Sequence, residues 1–119
     1  MKLLLADDDP ITLESLSACL EPEGFTTLQA RDGREALELW EKHRPDLLCL
    51  DIMMPHVDGY EVCRRMRQQT WSREMVLIAL TGWGQDEDKR RSEEAGFDRH
   101  LIKPVDPTAL EALLGQTAQ

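Results

Sequence analysis

Six polar residues stand at the ends of short aliphatic runs in this chain of 119 residues: Asp7, Asp8, Asp9, Asp51, Thr81 and Lys103. Carboxylates brought close together repel one another unless a cation joins them, and oxygen-only ligands suit a hard cation such as Mg²⁺. A hydroxyl and an ammonium group nearby supply the hydrogen-bond donor and the positive charge that a phosphoryl group needs. These residue types favour phosphoryl chemistry on an aspartate, which is a known covalent nucleophile. The sequence has no glycine-rich phosphate loop and no GKS/T motif that would hold a nucleotide.

Taken singly, most of these residues also have an ordinary structural explanation. The run from Asp7 to Asp9 before Pro10 is typical of a helix N-cap, and Lys103 alone could be a surface cation. Asp51 is harder to explain in this way, because an unpaired carboxylate is costly to bury. Their joint occurrence at the ends of four of the five apolar runs favours a single site.

The segments between these residues predict an α/β fold. Short apolar runs at 3–6, 26–30, 47–50, 76–80 and 101–102 are typical of strands buried on both faces of a parallel sheet. Between the runs, apolar residues recur at helical spacing, as Leu13, Leu16 and Leu20 do. The polar segment 86–95 predicts a solvated helix that Gly96 ends. The result is five βα units in a parallel sheet with helices on both faces, and such sheets bind ligands at the carboxyl ends of their strands.

Turn-forming residues mark the predicted helix boundaries. Gly24 is predicted to end the first helix, and an aspartate precedes the second, third and fifth helices, in the pairs Asp32-Gly33, Asp58-Gly59 and Asp106-Pro107. The length of the chain suits one domain rather than two.

Composition and charge exclude several classes of function. With 14 Lys and Arg against 23 Asp and Glu, the formal net charge is −9, which disfavours binding to nucleic acid and to anionic membranes. No apolar run approaches the roughly 20 residues that span a bilayer, and no signal peptide is evident, so a cytoplasmic location is expected. The cysteines Cys19, Cys49 and Cys63 lack metal-ligand spacing and are expected to be free buried thiols.

Four motifs carry a resemblance to a known family: LLLADDDP, CLDIMMPHVDGYEV, VLIALTG and LIKP. In their order and spacing they resemble the receiver domain of two-component response regulators, and the likeness runs end to end. The resemblance implies a flavodoxin-like (βα)5 fold with strand order 2-1-3-4-5. It also implies one receiver domain over residues 1–119 without an output domain, and a segment most similar to receivers of hybrid sensor kinases.

The resemblance also implies roles for individual residues. Asp51 corresponds to the phosphoacceptor, and Asp7 and Asp8 to the acidic pair that holds Mg²⁺ or Mn²⁺ together with Asp51 and the backbone carbonyl of Met53. Lys103 corresponds to the lysine that pairs with the phosphoryl oxygens, and its peptide bond to Pro104 is expected to be cis.

The implied signalling route involves Thr81 as the switch hydroxyl. The phosphoryl donor would be a histidine kinase or a histidine phosphotransfer protein, and the output would be a partner-binding face formed by the fourth helix, fifth strand and fifth helix. The chain would catalyse only its own phosphorylation and a slow self-dephosphorylation.

Three positions bear on how far the family pattern holds. The usual aromatic switch residue is replaced by His100, which is smaller and polar. Met53 and Trp83 occupy positions that modulate attack by water in the family, and neither can orient a water molecule through a carboxylate or amide. Slow self-dephosphorylation is therefore predicted.

Two other functions fit the same residues less well. A phosphorylation-independent interaction module would not need the intact set of acidic residues, hydroxyl and lysine. A small Mg²⁺-dependent phosphohydrolase usually has a second aspartate two residues after its nucleophile, where this chain has Met53.

Overall fold

Five parallel strands form one sheet in the order β2-β1-β3-β4-β5, as predicted. The structure is a computed structural model that describes residues 1–82 and 86–117. The strands are β1 (Lys2–Ala6), β2 (Thr26–Ala30), β3 (Leu47–Asp51), β4 (Val76–Thr81) and β5 (Arg99–Ile102). The helices are α1 (Pro10–Leu20), α2 (Gly33–His43), α3 (Gly59–Arg67), α4 (Asp86–Ala95) and α5 (Pro107–Thr117).

Both faces of the sheet are covered, which explains why the inner strands are continuously apolar. On one face, alternate strand residues such as Leu4, Leu48 and Leu77 pack against α2, α3 and α4. On the other face, residues such as Leu5 and Ile78 pack against α1 and α5. All five residues of β3 are buried, so the strand that ends in Asp51 is held firmly between its neighbours.

Aspartate side chains stand at the starts of four helices, as predicted for Asp32, Asp58 and Asp106, which accepts from the Thr108 N–H at 2.9 Å, while Asp9 adds a fourth cap. The Asp9 carboxylate accepts a hydrogen bond from the Ile11 backbone N–H at 3.0 Å and caps α1. Asp32 and Asp58 cap α2 and α3 in the same manner. Helix starts are thereby fixed just beyond the carboxyl ends of β1, β2 and β3.

Three predictions need correction. The first helix ends at Leu20, not at Gly24, and a short 3₁₀ turn over Glu21–Glu23 follows, because Pro22 has no N–H to continue the helical ladder. Strand β5 begins at Arg99, two residues earlier than predicted.

The third correction concerns the cysteines. Cys49 and Cys63 are buried free thiols, and burial raises the pKa of each to about 12. Cys19 is free but exposed, because the face of α1 that packs on the sheet carries Leu16 and Leu20.

No helix within residues 1–82 and 86–117 is both long and apolar enough to cross a membrane.

Candidate functional site

Three carboxylates meet at the carboxyl edge of the sheet. Asp7 and Asp8 follow β1, Asp51 ends the adjacent strand β3, and one carboxylate oxygen from each lies within 4.8 Å of the others. Asp7 and Asp51 are 1% and 2% exposed, whereas Asp8 is exposed. The third aspartate of the run, Asp9, belongs to the cap of α1, so only two of the three consecutive acids join the cluster.

Lys103 bridges the two buried carboxylates. Its Nζ atom lies 2.8 Å from Asp51 Oδ2 and 3.0 Å from Asp7 Oδ2. Lys103 follows β5, so its long side chain reaches across the end of β4 to arrive at β3. The peptide bond between Lys103 and Pro104 is cis, as predicted. The ammonium group thus provides a compact positive charge where two negative charges are buried.

Backbone N–H groups hold the remaining carboxylate oxygens. Asp51 Oδ1 accepts from the Met53 N–H at 3.1 Å, and Asp7 Oδ1 accepts from the Asp9 N–H at 2.9 Å. Gly59 permits the loop after β3 to fold back closely, because a Cβ atom at this position would lie 2.6 Å from the Asp51 carbonyl oxygen. Sequence reasoning assigned Gly59 only to a helix start, and the Asp58-Gly59 pair gave no sign of this close approach.

The buried carboxylates of the site interact unfavourably with one another. Burial raises the pKa of the Asp51 carboxyl, and the neighbouring charge of Asp7 adds to the effect, although hydrogen bonds from Lys103 and Met53 oppose it. Burial by itself would lower the pKa of Lys103, but its hydrogen bonds to Asp51 and Asp7 outweigh that effect and raise it. Two negative charges with one positive charge between them leave net negative charge at this edge.

The donor set fits a hard divalent cation. Asp7, Asp8 and Asp51 offer only oxygen ligands, and the exposed Asp8 lies on the open side of the cluster. Such a ligand set, with room for water molecules, is the kind that Mg²⁺ prefers in proteins. A bound cation would also offset the repulsion between these carboxylates.

Thr81 lies at the next strand end and is 2% exposed. Its Oγ1 atom is 3.0 Å from the Nε2 atom of His100 on β5. Sequence reasoning singled out both residues as a switch pair but gave no sign of a direct hydrogen bond between them. The backbone of the same strand end is fixed by the Lys103 N–H, which donates to the Thr81 carbonyl oxygen at 2.6 Å.

Two further positions were predicted to modulate phosphoryl lifetime. The Met53 side chain is 67% exposed beside the cluster, and its backbone N–H contacts Asp51. Trp83 lies outside the described residues.

Comparisons with known proteins define the class of this fold and site. Residues 3–115 match the family model of the response regulator receiver domain. The chain is 40% identical over 116 residues to the uncharacterized 14.6 kDa protein in the sodA1 3′ region of Leptolyngbya boryana, which covers 98% of this chain and 88% of that protein.

Solved structures agree with the family match. The receiver domain of a signal transduction histidine kinase from Syntrophus aciditrophicus is 34% identical with a TM-score of 0.88, over 98% of this chain and 88% of that one. The receiver domain of the sensor histidine kinase PA1611 from Pseudomonas aeruginosa PAO1 was solved with magnesium coordinated in its active-site cleft. It is 28% identical with a TM-score of 0.88, over 99% of this chain and 98% of that one.

The chain belongs to the response regulator receiver domain family, whose members are signalling modules of two-component systems and generally not enzymes. Receiver domains bind Mg²⁺ and interact with histidine kinases. The chain spans less than half the length of several transcriptional regulators that it matches. One of these is the alkaline phosphatase synthesis transcriptional regulatory protein PhoP of Bacillus subtilis, 37% identical over 93% of this chain and 45% of that protein.

Proposed function

We propose that residues 1–119 act as one receiver domain in which Asp51 accepts a phosphoryl group from the phosphohistidine of a kinase or phosphotransfer protein. The observation that carries this proposal is the position of the Asp51 carboxylate, which ends a buried strand, lies beside the Asp7 carboxylate and is paired with the Lys103 ammonium group. No other described carboxylate shares both of these neighbours. Asp51 occupies the position of the phosphoacceptor in the receiver domain family.

The transfer forms one bond and breaks one bond. An Asp51 carboxylate oxygen attacks phosphorus, a P–O bond forms, and the P–N bond to the donor imidazole breaks with its electron pair leaving on nitrogen. Lys103 turns from the two carboxylates towards the phosphoryl oxygens and neutralises their charge. The Met53 N–H continues to orient the Asp51 side chain.

Asp7, Asp8, Asp51 and the Met53 carbonyl would hold the cation, Mg²⁺ or Mn²⁺. When bound, the cation supplies positive charge that draws the acidic edge and the phosphoryl oxygens together. The Asp9 N–H donates to Asp7 Oδ1 and so orients the Asp7 carboxylate. Asp8 is exposed, so a phosphoryl donor can approach from its side of the cluster.

Signal output would follow from the strand ends beside the acceptor. Thr81 would turn towards the phosphoryl group, and the face formed by α4, β5 and α5 would change its affinity for a protein target. Ile102 on β5 is 50% exposed, so an apolar contact is available on that face. Met53 offers a thioether where a carboxylate or amide would orient attacking water, which supports slow self-dephosphorylation. The formal net charge of −9 disfavours nucleic acid as a direct target.

Intact-protein mass spectrometry tests the proposal. Wild-type protein incubated with Mg²⁺ and acetyl phosphate is expected to gain one phosphoryl group per chain, and Asp51→Asn to gain none. Glu14→Gln, an exposed change on α1, is the matched control and should label like wild type. Absence of label in wild type would indicate a phosphorylation-independent module, and rapid turnover of the donor would indicate a phosphohydrolase.

A further inference from the structure

The five methionines of the chain fall into two groups by their exposure to solvent. Three of them are at most 8% exposed: Met54, Met66 and Met75. The other two are largely exposed, Met1 at 51% and Met53 at 67%. A small neutral oxidant dissolved in water therefore reaches the sulfur atoms of Met1 and Met53 while the protein remains folded.

Of these two residues, Met53 lies against the proposed phosphoacceptor. Its backbone N–H donates to Asp51 Oδ1 at 3.1 Å, and the Cα atom that carries its side chain is bonded directly to that nitrogen. Asp51 itself is only 2% exposed, so water that approaches a phosphoryl group on it must pass the exposed residues of this edge. Those residues include Asp8 and Met53.

Oxidation changes what a methionine side chain can offer to a water molecule. When hydrogen peroxide oxidises a thioether, a sulfur lone pair forms an S–O bond, the O–O bond breaks, and the peroxide is reduced to water. The thioether sulfur is only a weak hydrogen-bond acceptor, whereas the sulfoxide is polar and its oxygen accepts readily. Oxidation of Met53 would therefore place an effective acceptor beside the acceptor aspartate.

We propose that Met53 is a site of reversible oxidation, at which hydrogen peroxide shortens the lifetime of the phosphoryl group on Asp51. The sulfoxide oxygen accepts a hydrogen bond from a water molecule and directs the water oxygen towards phosphorus. The water oxygen forms the new P–O bond, and the P–O bond to Asp51 breaks with its electron pair returning to the carboxylate. Inorganic phosphate leaves with the oxygen and protons of the water. The inference rests on the proposed function of Asp51.

The site of oxidation is tested first, on folded protein without added metal. Every protein carries Cys19→Ser, because Cys19 is a free and exposed thiol that peroxide also attacks. After peroxide treatment and its removal by catalase, peptide mass spectrometry is expected to find one added oxygen at Met53 and one at Met1. The three buried methionines should remain unmodified. Met53 that stays reduced under conditions that oxidise Met1 would overturn the inference.

The lifetime of the phosphoryl group is tested next. Oxidised and reduced proteins are labelled with acetyl phosphate and Mg²⁺, separated from the donor, and followed by intact-protein mass spectrometry as the label decays. Oxidation should speed the decay about two- to tenfold, the range expected for one neutral hydrogen bond. Treatment of the oxidised protein with methionine sulfoxide reductases should restore the slower decay. Met53→Gln carries an amide acceptor permanently and should decay faster than the reduced methionine protein without any peroxide.

Two matched variants separate Met53 from other targets of peroxide. Met53→Leu has an apolar side chain of similar size without sulfur, so peroxide treatment should leave its decay rate unchanged. Met1→Leu lacks the other exposed methionine, and its decay should still accelerate after oxidation.

Unchanged or slower decay after oxidation of Met53, or an equal acceleration in Met53→Leu, would overturn the inference while the proposed function stands. If the reduced protein takes no label from acetyl phosphate, the proposed function fails and the inference fails with it. Circular dichroism of each protein before and after peroxide checks that the fold is retained.

Discussion

The two ends of the sheet differ in the kind of side chain that is buried there. At the carboxyl end, the buried groups are the Asp7 and Asp51 carboxylates with Lys103 between them. At the amino end, beside the starts of β3 and β4, Trp40 stacks on Trp71 with ring centroids 4.6 Å apart. The Arg44 guanidinium lies 4.2 Å from the Trp71 ring centroid, and the Trp40 Nε1–H donates to Met75 Sδ at 3.2 Å.

This contrast separates stability from function within one sheet. The aromatic end buries apolar surface and leaves the Trp40 N–H satisfied, so it stabilises the fold at no evident electrostatic cost. The charged end buries carboxylates that repel one another, so it is poised to gain stability from a cation or a phosphoryl group. Substitutions at the aromatic end should therefore lower the free energy of unfolding and leave phosphorylation intact. Substitutions at the charged end should impair cation binding or phosphorylation and leave the stability of the fold largely unchanged.

Substitution of Trp40 at the aromatic end should change the stability of the protein most. Trp40 is 5% exposed, and Trp40→Ala should lower the free energy of unfolding by about 3–5 kcal/mol, because it removes a large buried ring and leaves a cavity. Urea unfolding followed by circular dichroism measures this loss. The remaining folded protein should still accept one phosphoryl group from acetyl phosphate. Folded Trp40→Ala protein that cannot be labelled would break the separation between the two ends.

The second prediction concerns stabilisation of the charged end by Mg²⁺. Mg²⁺ at one hundred times its dissociation constant should raise the free energy of unfolding of wild type by about 2.7 kcal/mol, because it binds only the folded carboxylate cluster. Asp8→Asn should lose most of this gain at the same concentration, since it removes one of the three oxygen ligands. Glu41→Gln, an exposed change on α2, is the control and should keep the gain. Equal stabilisation of Asp8→Asn and wild type would place the cation elsewhere.

The smallest effect is a pH dependence in metal-free buffer. The Asp51 pKa is raised in the folded state, first by burial and then by the charge of Asp7. Its contribution to stability is therefore fully present below the unfolded value of about 3.8 and is lost as the pH rises through the folded pKa. Asparagine does not titrate, so the stability of Asp51→Asn relative to wild type should increase between pH 4 and pH 7.

Urea midpoints at several pH values in the presence of a chelator measure this difference. Glu14→Gln should show no comparable trend, because Glu14 is exposed on α1. A difference between Asp51→Asn and wild type that stays constant or shrinks with rising pH would contradict the raised pKa.

The sequence predicted the fold because its inner strands are buried on both faces. Such strands must be continuously aliphatic, so the runs at 47–50 and 76–80 could be recognised without any structure, and the polar residues that end them stood out. Strand β5 was recognised only in part, because Arg99 and His100 are polar and its burial is incomplete. Cys19 was predicted as buried from its residue type alone, while the helix turns it to solvent.

Side-chain contacts within the site depend on strand register and rotamers, which the spacing of residues along the sequence does not determine. The hydrogen bond between Thr81 and His100 depends on the register that pairs His100 with Ala79 and on the rotamer of Thr81. The Lys103 bridge between two carboxylates depends on a side chain that crosses a neighbouring strand end. The residue types predicted which groups would meet, and the structure describes how they are paired before phosphorylation.

Asp51 is the residue proposed to carry the phosphoryl group. Its most direct test is to label wild-type protein with acetyl phosphate and Mg²⁺, reduce the acyl phosphate with borohydride to homoserine, and locate the modified residue by peptide mass spectrometry. Homoserine is expected at position 51 alone. Reduction at Asp7 or Asp8, or a stable label that borohydride does not convert, would contradict it.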